Sequence, residues 1–301
     1  MSDRHAPTRD ALRELFDRPP SATTPALLEL CAQQARGRRP AALVEQRRRD
    51  RFVEPSSLDL RLAHALDGLA LAAARDYEAL LLSPVAPLGS CSVVAPTAQD
   101  RTLSALRGTE VVSDPTNVLA IECAHRMRSA GPKPLRLCTI HQVLRAQPVP
   151  PVPGFSRHFR LFALADAGRS GAADGFEVDA VVRQLGVYDR LFDAAAALGC
   201  AFPERRAVVH ATAETATLGD RVAAALRERA PVIAVERAEL DSPYYAGLRV
   251  LFGAARPDGA FAPIVDVGRF DWLAALAANR KLRYVASGCG LQLLPTLFAA
   301  G

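Results

Sequence analysis

Residues 146–156, Ala-Gln-Pro-Val-Pro-Pro-Val-Pro-Gly-Phe-Ser, place four prolines between two extended, β-favouring runs at 135–145 and 157–164. Proline has no N–H for a sheet ladder and a fixed φ, so this segment is stiff and extended, and it is too short to be a domain linker. It joins two strand-like runs within one domain. Other extended runs, at 78–83, 91–95 and 108–112, come before a helix at Asn117–Arg128. A long helix at about 176–198, the run 207–211, a helix at about 217–229 and the run 231–235 follow the pair. The runs 245–254 and 262–268, a helical 271–281 and a final 284–298 close the chain. Strands grouped into hairpins with long helices between the groups predict an α+β fold, an antiparallel sheet of six or seven strands flanked by helices. The β-α-β alternation is too irregular for a doubly wound parallel sheet.

Ahead of these runs the sequence divides into an Arg-rich, helical segment over 1–54, with helices at 7–36 and 40–50, and a core over 55–301. The core opens on a helix in which Leu60, Leu62, Leu66, Leu69 and Leu71 keep a helical period behind the cap signals Ser57 and Asp59. With 50% hydrophobic and 23% charged residues among 301, one large core is expected. Arg75, Asp76 and Glu78 break the longest apolar stretch, so no membrane span is expected, and the N-terminus lacks a signal-peptide centre, which makes cytoplasmic the default location.

The formal net charge of +5 is concentrated, since residues 1–51 hold eleven arginines against seven carboxylates. That run has no interleaved aromatics for base stacking, so it reads as a solvated helix face and not as a nucleic-acid site. The six cysteines show no C-x-x-C spacing and read as buried or unremarkable thiols. His125, His141 and His158 lack metal-ligand spacing, so no metal site is expected, and His141 reads as a packed imidazole.

The stretch Arg107–Ala120, RGTEVVSDPTNVLA, turns from an extended run into a helix start. Asp114 is a preferred N-cap and Pro115 suits the first helical position. Asp114 and Thr116 can equally hold an ammonium group, a carboxylate and a hydroxyl at i and i+2 of a strand-to-helix turn. Both readings stay open at the level of sequence.

Four segments, VLRAQPVPPVPGFSRHFRLF, SPYYAGLRVLF, GRFDWLAALA and SGCGLQLL, resemble in order and spacing the catalytic core of class II aminoacyl-tRNA synthetases. The variety they are most similar to is histidyl-tRNA synthetase and its paralogue, the regulatory subunit of short-form ATP phosphoribosyltransferase. The resemblance covers about residues 57–301. It implies that Arg145 grips an α-phosphate, that Phe159 stacks on adenine, and that Asp114 and Thr116 hold an amino acid's ammonium group. It also implies that Tyr244 and Tyr245 line the side-chain pocket, and that Gly268–Asp271 with Arg269 match a Gly-Arg-Tyr-Asp element. Gln147 and Arg157 fall beside the nucleotide. Read from the residues alone, Arg145 could be an ion-pair partner, Phe159 and the tyrosines core, and Arg269 a link to Asp271.

The departures matter as much. Gln147 replaces the second motif's Glu, and Gln292 replaces the third motif's clamping Arg. Leu161 and Ala165 stand where a Gln and a Glu complete the amino-acid site. Apolar side chains accept no hydrogen bond, which argues against histidine recognition of the family kind. The sequence ends at Gly301, where the family's synthetases continue into an anticodon-binding domain; this is an expectation of a non-aminoacylating relative.

Two functions follow from the resemblance. One is a regulatory or partner-binding subunit that holds a small amino acid or adenine nucleotide. The other is an adenylate-forming ligase using ATP with Mg, in which Arg157 or Arg280 replaces the lost cation and the acceptor is not tRNA, a carrier protein for instance. The run YEALLLSPVAPLG, at the place of the family's first motif, implies a homodimer joined near Pro84.

Overall fold

The computed structural model describes residues 13–14, 17–131, 133–149 and 155–300. Parts of the expected first helix and of the Pro-rich loop thus lie outside the described residues. Two helices come first, α1 (Pro20–Arg36) and α2 (Pro40–Arg49), each with proline in its first turn, and neither buries a residue. Arg47, Arg48 and Arg49 end α2, where cations suit the helix dipole, and Glu45 bonds Arg48 at 2.7 Å and also Arg49. These exposed pairs contribute little to stability.

Helix α3 (Leu60–Ala73) starts where Asp59 accepts from the N–H groups of Arg61 and Leu62 at 2.7 and 3.3 Å. It buries Ala63, Leu66, Ala70 and Ala73, a single stripe at helical spacing. The short strands β1 (Glu78–Ala79), β2 (Val85–Pro87), β3 (Ser104–Ala105) and β4 (Thr109–Val111) follow, then helix α4 (Pro115–Ala130). Next come β5 (Leu135–Leu144), β6 (His158–Arg169), helix α5 (Gly175–Ala195), β7 (Arg206–Ala211), helix α6 (Ala216–Arg229) and β8 (Ala234–Glu239). The chain finishes with β9 (Leu248–Ala255), β10 (Phe261–Phe270), helix α7 (Trp272–Leu276), β11 (Leu282–Gly290) and helix α8 (Leu293–Leu297).

Eight strands form one sheet in the order β1-β5-β6-β11-β10-β9-β7-β8, and β2-β4-β3 form a small second sheet. The six inner strands of the large sheet pair antiparallel throughout, with β5 and β6 in register from Leu135↔Ala167 to Leu144↔His158. Both edges depart from the expected antiparallel sheet, because β1 pairs parallel with β5 and β8 parallel with β7. The sheet is therefore mixed. At the β8 edge the reason is local: β7, α6 and β8 make one β-α-β unit, and a helical crossover returns the chain in the same direction. Residues 91–95, expected as a strand, form instead part of a π-helical turn at Ser90–Val94 entered through Gly89 at φ 96°. Of the expected strand 78–83 only β1 is paired as a strand, and Leu81 is 98% exposed.

Helices α3, α5 and α6 cover one face of the sheet and form its main core with Leu66, Leu185, Tyr188, Phe192, Val222 and Phe252. Phe192 stacks on Phe202 at 4.2 Å and on Phe252 at 5.1 Å between centroids. Asp166 on this face is 1% exposed and accepts from Tyr77 at 2.6 Å, Gln184 at 2.8 Å and Arg183, so its buried charge is fully partnered. Helices α4 and α7 cover part of the other face, packing Leu119, Cys123, Phe270, Trp272 and Tyr284 over Ala163, Ala165 and Ala167. Residues 161–168 of β6 are all buried, as befits a strand covered on both sides.

Gly253 in β9 lies where a Cβ would run into the Ala262 carbonyl of β10, beside the bulge between Pro263 and Val265. Neither backbone can yield without breaking the ladder. Gly253→Ala is expected to lower stability by about 1–3 kcal/mol, the usual cost of overpacking; an unchanged urea midpoint would show that the strands relax freely.

Candidate functional site

The strands β6, β10 and β11 alternate sides, and on the α4 face they present few large side chains beyond the helix. Ala286, Gly288 and Gly290 of β11 and Gly268 of β10 leave the sheet bare there, next to a cavity of about 540 Å³. A Cβ at Gly268 would stand 2.5 Å from both Tyr245 Cδ1 and Phe270 Cζ, so only glycine lets Tyr245 lie against the strand. Leu161, Ile264 and Leu293 give the cavity apolar walls. A second lobe of about 400 Å³ adjoins it and shares Asp114, Arg145, Gln147, Tyr244, Tyr245 and Asp266.

Asp114 closes the N-terminus of α4, and its Oδ1 accepts from the Thr116 N–H at 3.0 Å and from the Thr116 hydroxyl at 2.7 Å. One oxygen thus serves as the cap. Its Oδ2 has no hydrogen-bond partner among the described residues, and Asp114 and Thr116 both line the larger cavity. Capping and ligand binding are geometrically compatible at this turn. Thr116 is fixed from the other side, since its carbonyl accepts from Tyr284 at 2.7 Å.

Arg145 follows β5 and is held by Nε donation to the Ser113 carbonyl at 3.1 Å. Its guanidinium lies over the Phe159 ring, 5.0 Å from the centroid, a cation–π contact at the cavity wall. Gln147 accepts from Arg101 Nε at 2.7 Å, and Gln292 donates to Ser156 at 3.4 Å. Tyr244 packs edge-on against Tyr245, Phe270 and Trp272. Burial pushes the Tyr244 hydroxyl upward from its ordinary pKa, and the Asp114 charge adds to the shift. Burial does the same to Tyr245, with Asp266 adding to it.

Two of the residues singled out in the sequence stand elsewhere. Arg269 points to the opposite face, where it donates to the Ala246 carbonyl at 2.7 Å and lies 3.6 Å from buried Glu177; Asp271 is not its partner. The cause is the period of the strand, since Asp266, Gly268 and Phe270 take the cavity side and odd-numbered neighbours the other. Arg157 donates to the carbonyls of Ala146 and Gln147 and lies over Phe52 at 4.9 Å, outside the two cavity lobes.

The residues that sequence reading missed are polar side chains of the second lobe. Asp266 accepts a two-pronged bond from Arg249, at 3.1 and 2.7 Å, and a third from the Tyr245 hydroxyl at 2.7 Å. Burial opposes the charge on Arg249, but the bonds to Asp266 outweigh it and hold its pKa above the ordinary value. A carboxylate alternating with valines in IVDVG was the available signal.

Glu110, 1% exposed, organises the loop beside this lobe. Its carboxylate accepts from Gly89 N, Cys91 N and Gln99 Nε2, each at 2.8 Å, and so pins the turn at Ser90–Val94. Those captured N–H groups are the reason residues 91–95 do not extend as a strand.

No family model matches the sequence, and no curated protein is significantly similar to it. Solved structures are similar in shape. An ATP phosphoribosyltransferase regulatory subunit/histidyl-tRNA synthetase from Bacillus halodurans superposes with a TM-score of 0.62 at 12% identity, over 81% of each chain. The chain has the class II aminoacyl-tRNA synthetase-like fold. A histidine–tRNA ligase subunit from Alicyclobacillus acidocaldarius gives a TM-score of 0.59 at 16% identity, over 81% of this chain and 94% of that one. For apo histidyl-tRNA synthetase from S. aureus the values are 0.57 and 14%, over 77% and 63%. In this synthetase-like fold the cavity lies on the open face of the sheet, beside the start of α4.

Five of the six cysteines are buried and Cys31 is exposed. Burial, with Glu110 nearby, pushes the Cys91 thiol up to about 11. A thiol reagent at pH 8 should therefore modify one cysteine per native chain. Glu110→Ala leaves buried donors unpaired, at roughly 1–3 kcal/mol each, and is expected to open the turn and expose Cys91 as a second reactive thiol. A single modified thiol in that variant would mean that Glu110 does not hold the turn.

Proposed function

We propose that the protein is a non-aminoacylating synthetase-like paralogue that binds a small amino acid or adenine nucleotide in this cavity. It acts in turn as a regulatory or partner-binding subunit, a role that the name of the Bacillus halodurans protein, a regulatory subunit, gives to that relative in shape. The observation that carries the reading is the asymmetry of the cavity. Its amino-group end keeps Asp114 with an unused carboxylate oxygen, while its nucleotide end has neutral Gln147 and Gln292 where the resemblance asks for charged side chains. Binding survives such losses, whereas the departure of pyrophosphate needs positioned positive charge. Leu161 lines the cavity and Ala165 is buried under α4, so neither offers a polar group to an imidazole.

Arg145 stacked on Phe159 favours the second reading, an adenylate-forming ligase with a non-tRNA acceptor. For ATP, Arg145 would hold a phosphate and Phe159 the base once the guanidinium swings off the ring. Magnesium that arrives on phosphates needs only one or two carboxylates; Asp114 has an unpartnered oxygen to offer, whereas Asp266 is taken by Arg249 and Tyr245. Arg157 is tied to backbone carbonyls, so it does not supply the missing cation at this position.

Amino-acid-dependent pyrophosphate exchange separates the two readings: its absence with every standard amino acid, in a protein that still binds a ligand by calorimetry, is the expected result. Robust exchange would move the assignment to the ligase. For the amino-group ligand so found, Asp114→Asn should leave melting nearly unchanged, because Asn caps about as well as Asp. Affinity should fall by about tenfold or more, since a charge-assisted bond is worth roughly 1.5–3 kcal/mol. Equal affinities would return Asp114 to capping alone.

The homodimer belongs to the same proposal. Leu81 is 98% exposed and Leu88 52%, on the chain that flanks Pro84 between the two sheets. Light scattering at micromolar concentration should give twice the chain mass, and Leu81→Glu should reduce it to a monomer.

A further inference from the structure

The second lobe has a charge pattern that narrows its ligand. Arg249 and Asp266 neutralise each other at 2.7 Å. Among the described residues, Arg101, Arg145 and Asp114 have no oppositely charged side chain within ion-pair distance, although all three line the lobe. The wall thus offers two uncompensated guanidiniums and one uncompensated carboxylate. Asn117 adds an acceptor to the wall: it lines the lobe, is 3% exposed, and its Oδ1 has no hydrogen-bond partner among the described residues. Buried polar atoms in native proteins nearly always find one.

Arg101 is held in place by the neighbouring chain. Its Nε donates to Gln147 Oε1 at 2.7 Å and its carbonyl accepts from Ala146 N at 2.8 Å. These bonds latch the loop carrying Arg101 to the segment just after Arg145, so both guanidiniums face one space. Gln147 is neutral. A glutamate there would make the same bond and cancel the charge of Arg101, whereas glutamine orients the guanidinium and leaves its charge for a ligand.

We infer that the second lobe binds an α-amino acid carrying a second anionic group, a dicarboxylic or phosphorylated amino acid. The ammonium group lies on Asp114, one anion on Arg145 and the other on Arg101. This rests on the reading of the cavity as an amino-acid site. A lobe of about 400 Å³ has ample room for such a molecule. Arg101 is exposed at the rim, so replacing it leaves the core intact.

Calorimetry at fixed ionic strength, with L-glutamate, O-phospho-L-serine, L-glutamine and the remaining standard amino acids, tests this. Wild type should bind L-glutamate or O-phospho-L-serine about tenfold or more tighter than L-glutamine, the scale of one charge-assisted bond. Which of the two is preferred distinguishes a carboxylate from a phosphate source. Arg101→Gln and Gln147→Glu should each abolish the preference, read within each variant as the ratio of acidic to L-glutamine affinity. Neutral amino acids binding as tightly as the acidic ones, or a preference that survives both substitutions, would overturn this inference and leave the amino-acid site standing. Binding of no amino acid at millimolar concentration would overturn both.

Discussion

Small side chains along one face of the sheet decide where this protein can hold a ligand. Ala163, Ala165 and Ala167 of β6 let α4 settle close to the strands, and that closeness fixes the start of the helix, with Asp114, above the sheet. Beyond the helix, β10 and β11 continue with Gly268, Gly288 and Gly290, and among the described residues no helix fills the space they leave. Larger residues on the first set would lift the helix away; larger residues on the second would fill the cavity. Close packing leaves little slack for either change.

The charged groups on the two faces of the sheet fall into two kinds. Asp166 and Glu110 are almost fully buried and spend their oxygens on fixed protein donors, and Glu177 gives one oxygen to Arg283 at 2.8 Å, which joins elements distant in sequence. Asp114, Arg145 and Arg101 keep part of their bonding capacity toward the cavity. Removing a partner from the first kind leaves a buried group unsatisfied and destabilises the fold. Changing the second kind alters what the cavity can attract.

Much of the architecture was legible in the sequence where a local rule had no competitor. Pro115 after Asp114, the stripe in α3 and the long apolar period of α5 all correspond to helices close to their expected bounds. The proline run between β5 and β6 separates two strands that do pair. The parallel edges were less visible, because strand direction at an edge depends on a crossover and not on the pattern within the strand. Residues 91–95 misled because β-branched valines favour extension, while Glu110, 19 residues beyond Cys91, captures the backbone of that turn instead. At the site, the structure brings Asp114, Thr116, Arg145 and Gln147 to one cavity, with Phe159, Tyr244 and Tyr245. Asp266, Arg249, Arg101 and Asn117 escaped notice because each is an isolated polar residue whose meaning lies in neighbours far along the chain.

The strand at the free end of the sheet has a consequence for how the molecule behaves in a crowded solution. β8 pairs with β7 on one side only, and its sequence Ala-Val-Glu-Arg-Ala-Glu sets Glu236, Arg237 and Glu239 along a largely exposed ladder. Unpaired backbone groups on such an edge invite another strand to add, and charged side chains there discourage it by the cost of desolvating them. At the opposite end, β1 is only two residues long and offers too little backbone to template anything. Both ends of the eight-stranded sheet thus discourage the addition of a further strand by backbone pairing.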